Sequence, residues 1–180
     1  MSVALEIIKR GWEIMTAPVA DPSMLWEVLP LIVTTVLLTM YFSKHRDEKL
    51  GWNTAFANSF VLFFVGINLI RVLYVREMLG FNLQLLVVVL MMVVGVILAF
   101  LDFYHVIPEN IAFLISSKLP LNYFAYIVVV YVHIGLILDW ITLVAVLLMF
   151  VLLIFIIWLM ETRPIKKINK SKNIYHKKRG

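Results

Sequence analysis

The sequence predicts an all-α fold: a polytopic bundle of about five transmembrane helices preceded by a short amphipathic helix. Three observations predict it. Of the 180 residues, 63% are hydrophobic and only 15% charged, against about 45–50% and about 25% in soluble domains. Apolar stretches of bilayer length recur along the chain, and a span needs roughly 20 such residues in a helix because lipid offers the backbone no hydrogen-bond partner. Basic residues are concentrated at one end: Arg163, Lys166, Lys167, Lys170, Lys172, Lys177, Lys178 and Arg179 are eight of sixteen. The chain divides into residues 1–20 (interfacial helix), 21–162 (membrane bundle) and 163–180 (basic tail).

Residues 3–16 read as the amphipathic helix. Leu5, Ile8, Trp12 and Met15 fall on one face, with Glu6–Arg10 and Lys9–Glu13 as opposite-charge pairs four apart. About 14 residues are too few to span, so the helix is expected flat on the membrane, the alternative being packing on neighbouring helices. Glu6, Glu13, Asp21 and Glu27 at or before the first long apolar run argue against a secretory signal peptide, whose n-region is basic. Pro18 and Pro22 are expected to break this helix. Asp21-Pro22 is a start signal for the next, with a carboxylate at the N-cap and proline at the first position.

The first span runs about Met24–Phe42, with Pro30 inside it as a kink. A charged loop with Lys44, Arg46 and Lys49 follows. The second span, about Asn53–Val75, is the least apolar. The third, about Leu83–Tyr104, is almost purely Leu, Val, Met and Ile until Asp102. Between residues 106 and 120 a short helix, Ile111–Ser117, is expected to end at Pro120. Residues 121–160 are too long for one span at 1.5 Å per residue. They divide into about Leu121–Leu138 and Trp140–Met160, with Gly135 and Asp139 the only plausible turn formers. The positive-inside rule favours five spans. With the N-terminus outside and the C-terminus cytoplasmic, twelve basic residues lie inside and four (Lys9, Arg10, Arg71, Arg76) outside. This describes a multi-pass protein of the cell membrane.

Charged or amide side chains inside a span are functional candidates. Asn58, Ser59, Asn68 and Arg71 form a polar stripe on the second span. It is either helix–helix adhesive, at about 0.6–2 kcal/mol per hydrogen bond, or the lining of a substrate path. Asp139 is expected to pair with Arg71 or Arg76, all near one membrane face. Asp102 and His105, three apart, form a weak candidate for a proton or metal site, with His133 as a distant third member. Tyr123, Tyr126, Tyr131, Trp140 and Trp158 read as interfacial aromatics. The lysines and arginine of the tail, Lys166, Lys167, Lys170, Lys172, Lys177, Lys178 and Arg179, fit anionic headgroups at about 1 kcal/mol each. A nucleic-acid partner is not expected.

There is no cysteine, which removes disulfides, thiolate metal sites and thiol catalysis. No phosphate loop, metalloprotease motif or nucleophile–base pair stands out, so neither an enzyme nor a cofactor is expected. The leading functional expectation is a non-enzymatic scaffold or accessory subunit associating with other membrane proteins or with itself. The alternative is a small oligomeric channel or transporter using the polar stripe.

Overall fold

A computed structural model describes residues 2–44 and 51–162. His45, Arg46 and Lys49 of the charged loop and the whole basic tail lie outside the described residues. Helices α1 (Val3–Ala20), α2 (Leu25–Lys44), α3 (Trp52–Val75), α4 (Leu83–Phe103), α5 (Glu109–Ile115), α6 (Lys118–Ile134) and α7 (Trp140–Thr162) follow one another, with a 3-10 turn, Pro22–Met24, between the first two. No strand occurs among the described residues. Five segments are long and apolar enough to cross a membrane: Pro22–Met40, Trp52–Val75, Leu83–Phe103, Glu109–Ile134 (α5 and α6 together) and Trp140–Leu159. The chain is a multi-pass helical membrane protein.

Local chemistry explains where the helices start and stop. Asp21 opens the 3-10 turn, its carboxylate accepting from the Ser23 N–H at 3.1 Å with Pro22 at the first position. Asn82 caps α4 through the Leu85 N–H, and Asp139 caps α7 through the Thr142 N–H at 2.8 Å. Gly135 ends α6 in the left-handed region, φ +64, where its missing Cβ removes the strain. Both turn formers read from the sequence therefore act at the turn between the last two spans. Two non-glycine residues also adopt left-handed φ, Glu77 at +57 and His105 at +52. They close α3 and α4, with Met78 N–H bonded to Leu73 O and Val106 N–H to Leu101 O.

The prolines behave differently from expectation. Pro18 does not stop α1, which continues to Ala20. Pro120 does not end a short helix but sits third in α6, among the first four residues, whose N–H groups have no intrahelical partner anyway. Pro18 leaves the carbonyl of Ile14, four residues earlier, without its usual donor. A side chain from another helix takes that carbonyl, Tyr126 Oη donating to Ile14 O at 2.7 Å; at the α5–α6 junction, just before α6, Asn58 Nδ2 donates to Ser116 O at 3.0 Å.

α6 is the central helix. It packs on α2, α3, α4 and α1 and buries Leu121, Ala125, Val128, Val129, Val130 and Val132. The α3–α4 pair packs most extensively, because glycines let the backbones approach. A Cβ on Gly95 would lie 2.9 Å from Leu62 Cβ and 3.0 Å from Ser59 O, and one on Gly66 would overlap the Met92 side chain. α7 rests chiefly on α1, with Tyr123 Oη donating to Val146 O at 2.6 Å and its ring against Phe150. α1 buries Ile14 and Ala17 against the bundle and leaves Leu5, Ile8, Trp12 and Met15 exposed. Its Arg10 pairs with Glu13, not with Glu6.

Gly95→Leu should disrupt the α3–α4 contact at about 1–3 kcal/mol or more, read as a lower unfolding midpoint in detergent. Gly135→Ala should cost about 1 kcal/mol and leave the rest of the bundle unchanged. Wild-type stability of Gly95→Leu would contradict the packing described.

Candidate functional site

Buried and half-buried polar side chains form four levels of a seam among α2, α3, α4 and α6. At the first level Arg76 leaves the end of α3 and donates to Asp21 Oδ2 at 2.8 Å and to His133 O at 3.0 Å. His133 Nδ1 lies 3.0 Å from Asp21 Oδ2 and 3.1 Å from Arg76 Nη2. Arginine only donates and carboxylate only accepts, so Nδ1 serves one of the two according to its tautomer. In either case the buried Nε2 has no partner. Ser23 Oγ completes the group by donating to Asp21 Oδ1. The Ser23 hydroxyl, opposed by burial and followed by His133 and Arg76, holds the Asp21 carboxyl well below the usual carboxylate range.

The second level lies eight residues back along α3, about 12 Å away. There Asn68 Nδ2 donates to Glu27 Oε1 at 2.7 Å. Glu27 is only 7% exposed, and its Oε2 is buried without a partner. The third level is eleven residues back along α6 from His133, about 16 Å. Asn122 Nδ2 donates to Leu31 O at 3.1 Å and Thr35 Oγ1 at 2.7 Å and lies 3.3 Å from Thr34 Oγ1. Its Oδ1 has no partner. The fourth level is eighteen residues back along α3 from Arg76, about 27 Å. Asp102, fully buried, receives Ser59 Oγ at 3.0 Å and Ser116 Oγ at 2.7 Å on Oδ2, and nothing on Oδ1. Asn58 ties this level to Ser116 O.

The levels together cover nearly the ~30 Å of a bilayer's hydrocarbon core. Leu62 and Leu69 on α3 and Ala125 and Val129 on α6, all fully buried, pack along the same stretch of the two helices. Each level carries one buried polar atom without a partner. A fifth such atom, Gln84 Oε1, belongs to the start of α4.

The residues singled out from the sequence are distributed as follows. Asn58 and Ser59 are buried at the fourth level and Asn68 is half-buried at the second. The stripe is thus split, because about 80° of helical rotation separates Asn58 from Asn68 and turns them toward different neighbours. Arg71 is exposed; neither an ion pair nor a hydrogen bond engages it among the described residues. The expected pairing of Asp139 with Arg71 or Arg76 does not form. Arg76 pairs with Asp21, because the α1–α2 junction folds over the ends of α3 and α6. Asp139 instead reaches Arg10 at 3.9 Å, and its carboxyl is lowered chiefly by the Thr142 N–H that it caps.

Asp102, His105 and His133 are not brought together. The helix ends before His105, whose left-handed backbone turns the ring onto Trp52 at 4.2 Å, so the three-residue spacing no longer places it beside Asp102. His133 lies at the opposite level. No three His, Asp or Glu side chains converge as metal ligands among the described residues. Asp21, Glu27, Thr34, Thr35, Ser116 and Asn122 belong to the seam without having been predicted. Their one sequence signal is a polar residue within or at the edge of a span. Tyr123 and Tyr126 spend their hydroxyls on helix carbonyls rather than on an interface. No protein-family model, curated protein or solved structure matches the chain.

Asp21's folded pKa lies below its unfolded value of about 4, so its contribution is complete above that value and is lost as pH falls through the depressed native one. Asp21→Asn should therefore lower the unfolding free energy at neutral pH by about 1 kcal/mol, solvent screening included. The gap to wild type should persist down to about pH 5 and close only in stronger acid. A gap already closed near pH 5 would contradict the Asp21–Arg76–His133 geometry.

Proposed function

We propose that this protein binds a small cation within the membrane and carries it along the α2–α3–α6 seam, as a transporter, channel or subunit of one. The observation that carries the proposal is the pair of carboxyls, Glu27 and Asp102, buried in spanning segments. Each has one oxygen without a partner, and no cationic side chain lies within ion-pair distance among the described residues. An intramembrane carboxyl costs several kcal/mol. An adhesive role would be met more cheaply by the amides and hydroxyls already present, each contributing about 0.6–2 kcal/mol. A cation that visits the two carboxyls in turn compensates their charge and accounts for their depth. The first level, with Asp21, Arg76 and His133, then forms one mouth. The excess of basic residues on the loop and tail supports placing that mouth outside and the C-terminus in the cytoplasm, with the tail on anionic headgroups.

The scaffold or accessory-subunit reading rests on a different observation. α7 is covered mainly by α1, and Arg71 stands exposed in a span, a natural partner for an acidic group on another membrane chain. Recovery in mild detergent with a stoichiometric second subunit, lost in Arg71→Ala, would support that reading.

Transport is tested on the full chain in sealed liposomes under an imposed cation gradient, with a pH-sensitive dye inside and ²²Na⁺ flux measured in parallel. Wild type should exceed protein-free vesicles for at least one ion. Glu27→Gln and Asp102→Asn should each abolish the excess, while Leu147→Ala on the exposed face of α7 should not. Absence of flux for both ions in wild type, or full flux in both carboxyl variants, would refute the proposal.

A further inference from the structure

The fourth level gathers side-chain oxygens from three parts of the chain. Ser59 Oγ comes from α3, Asp102 Oδ2 from α4 and Ser116 Oγ from the α5–α6 junction. They form a triangle with sides of 3.0, 2.7 and 3.5 Å. All three residues are fully buried. Asp102 Oδ1 is a fourth oxygen, buried and without a partner. No cationic side chain lies within ion-pair distance of this carboxyl among the described residues. A carboxylate at such depth calls for a positive charge. Asp102 also stands in the last turn of α4, where the helix macrodipole is negative and adds to that demand.

We propose that Asp102, Ser59 and Ser116 form a binding site for one monovalent metal ion of sodium size; its role as the cation carried rests on the transport reading above. Asp102 supplies both carboxyl oxygens and each serine one hydroxyl oxygen, the ligand type that hard cations take. Na⁺ has nearly the radius of Ca²⁺, whose ligands stand at about 2.3–2.6 Å, so neighbouring ligands of such an ion lie about 3.3–3.7 Å apart. The longest side of the triangle already has that length. The two hydrogen-bonded sides have to open by about half an ångström to seat the ion, and a larger ion needs more. The hydroxyls have other acceptors to turn to. Ser59 Oγ donates to Ala55 O at 3.1 Å, and Ser116 Oγ lies 3.5 Å from Ser59 Oγ. The Ala55 carbonyl accepts this second bond through its other lone pair. Each hydroxyl then points its hydrogen away from the ion and a lone pair toward it.

Charge selects a monovalent ion. One carboxylate stands at this level, so Na⁺ neutralises it, whereas a divalent ion leaves a net positive charge inside the membrane. The second and third levels agree with a metal ion, since their unpartnered atoms are also oxygens, Glu27 Oε2 and Asn122 Oδ1. The Asn122 amide is oriented by Leu31 O, which only accepts, so Nδ2 faces that carbonyl and Oδ1 turns the other way. An amide oxygen ligates a metal ion but holds no proton near neutral pH. Asn122 thus offers a metal ion a ligand at a height between the two carboxyls.

Binding is read on the full chain in detergent as the unfolding midpoint in NaCl, KCl, CaCl₂ and choline chloride at equal ionic strength. We expect a saturable rise in Na⁺ over choline, a smaller one in K⁺ and Ca²⁺, and no Na⁺-specific rise in Asp102→Asn. Ser59→Ala and Ser116→Ala should each need about tenfold more Na⁺ for half the rise, the cost of one charge-assisted ligand. These serine variants keep the test decisive if Asp102→Asn does not fold. Leu147→Ala should respond as wild type. Sealed liposomes then report ²²Na⁺ and H⁺ flux. Na⁺-specific stabilisation without flux of either ion would leave the site standing and remove the transport reading. H⁺ flux without Na⁺-specific stabilisation would keep the transport reading and overturn the site. A rise equal in all four salts, or unchanged in both serine variants, would also overturn it.

Discussion

In lipid, a buried polar group has no water to turn to, and every such group must be satisfied inside the protein or be used. That constraint organises this bundle. Pro18 leaves the Ile14 carbonyl without its helical donor and Tyr126 fills the place, while Asn58 satisfies the Ser116 carbonyl between α5 and α6. The bonds tie α1 to α6 and α3 to the α5–α6 junction. The proline that interrupts α1 thereby marks its attachment point to α6. Four neighbours depend on α6, so the same few hydrogen bonds decide how α1 and α3 sit relative to it.

Apolar packing supplies the rest. Gly66 and Gly95 bring α3 and α4 close enough that Ser59, one face of the same contact, meets Asp102 directly. Close approach and buried polarity are coupled here: a larger residue at Gly95 would press on Ser59 O and move the hydroxyl that contacts the carboxyl. In the other half of the seam, Asp21 joins the α1–α2 junction to the ends of α3 and α6 through Arg76 and His133. The two ends of the seam are thus built differently, an ion-paired end partly open to water and a closed end of hydroxyls around one carboxyl.

Much of the threading was legible in the sequence. The five spans, the Asp21-Pro22 start and the Gly135/Asp139 turn follow from composition and cap chemistry, which act locally. What could not be read was lateral. Height along a helix follows from residue number, but which helix stands beside it does not. Asp21 was therefore visible as a cap and not as the partner of Arg76, and Asn122 and Glu27 passed as polar residues of single spans. His105 was misplaced for a local reason: a left-handed residue without glycine ends α4 there, and nothing in Asp-Phe-Tyr-His announces it. Pro120 misled because its position within the first turn, which makes it harmless, depends on a start residue two positions earlier.

Asn58, Ser59 and Asn68, though turned toward different neighbours, must all face a hydratable interior rather than lipid. The chain has no cysteine, so single cysteines along α3 can be read without background. In sealed vesicles, a small water-soluble thiol reagent should label cysteines at positions 58, 59 and 68 faster than at 64 and 67, whose native side chains are exposed on the bundle's outside. Equal or faster labelling at 64 and 67 would place water on the wrong side of α3 and contradict the seam.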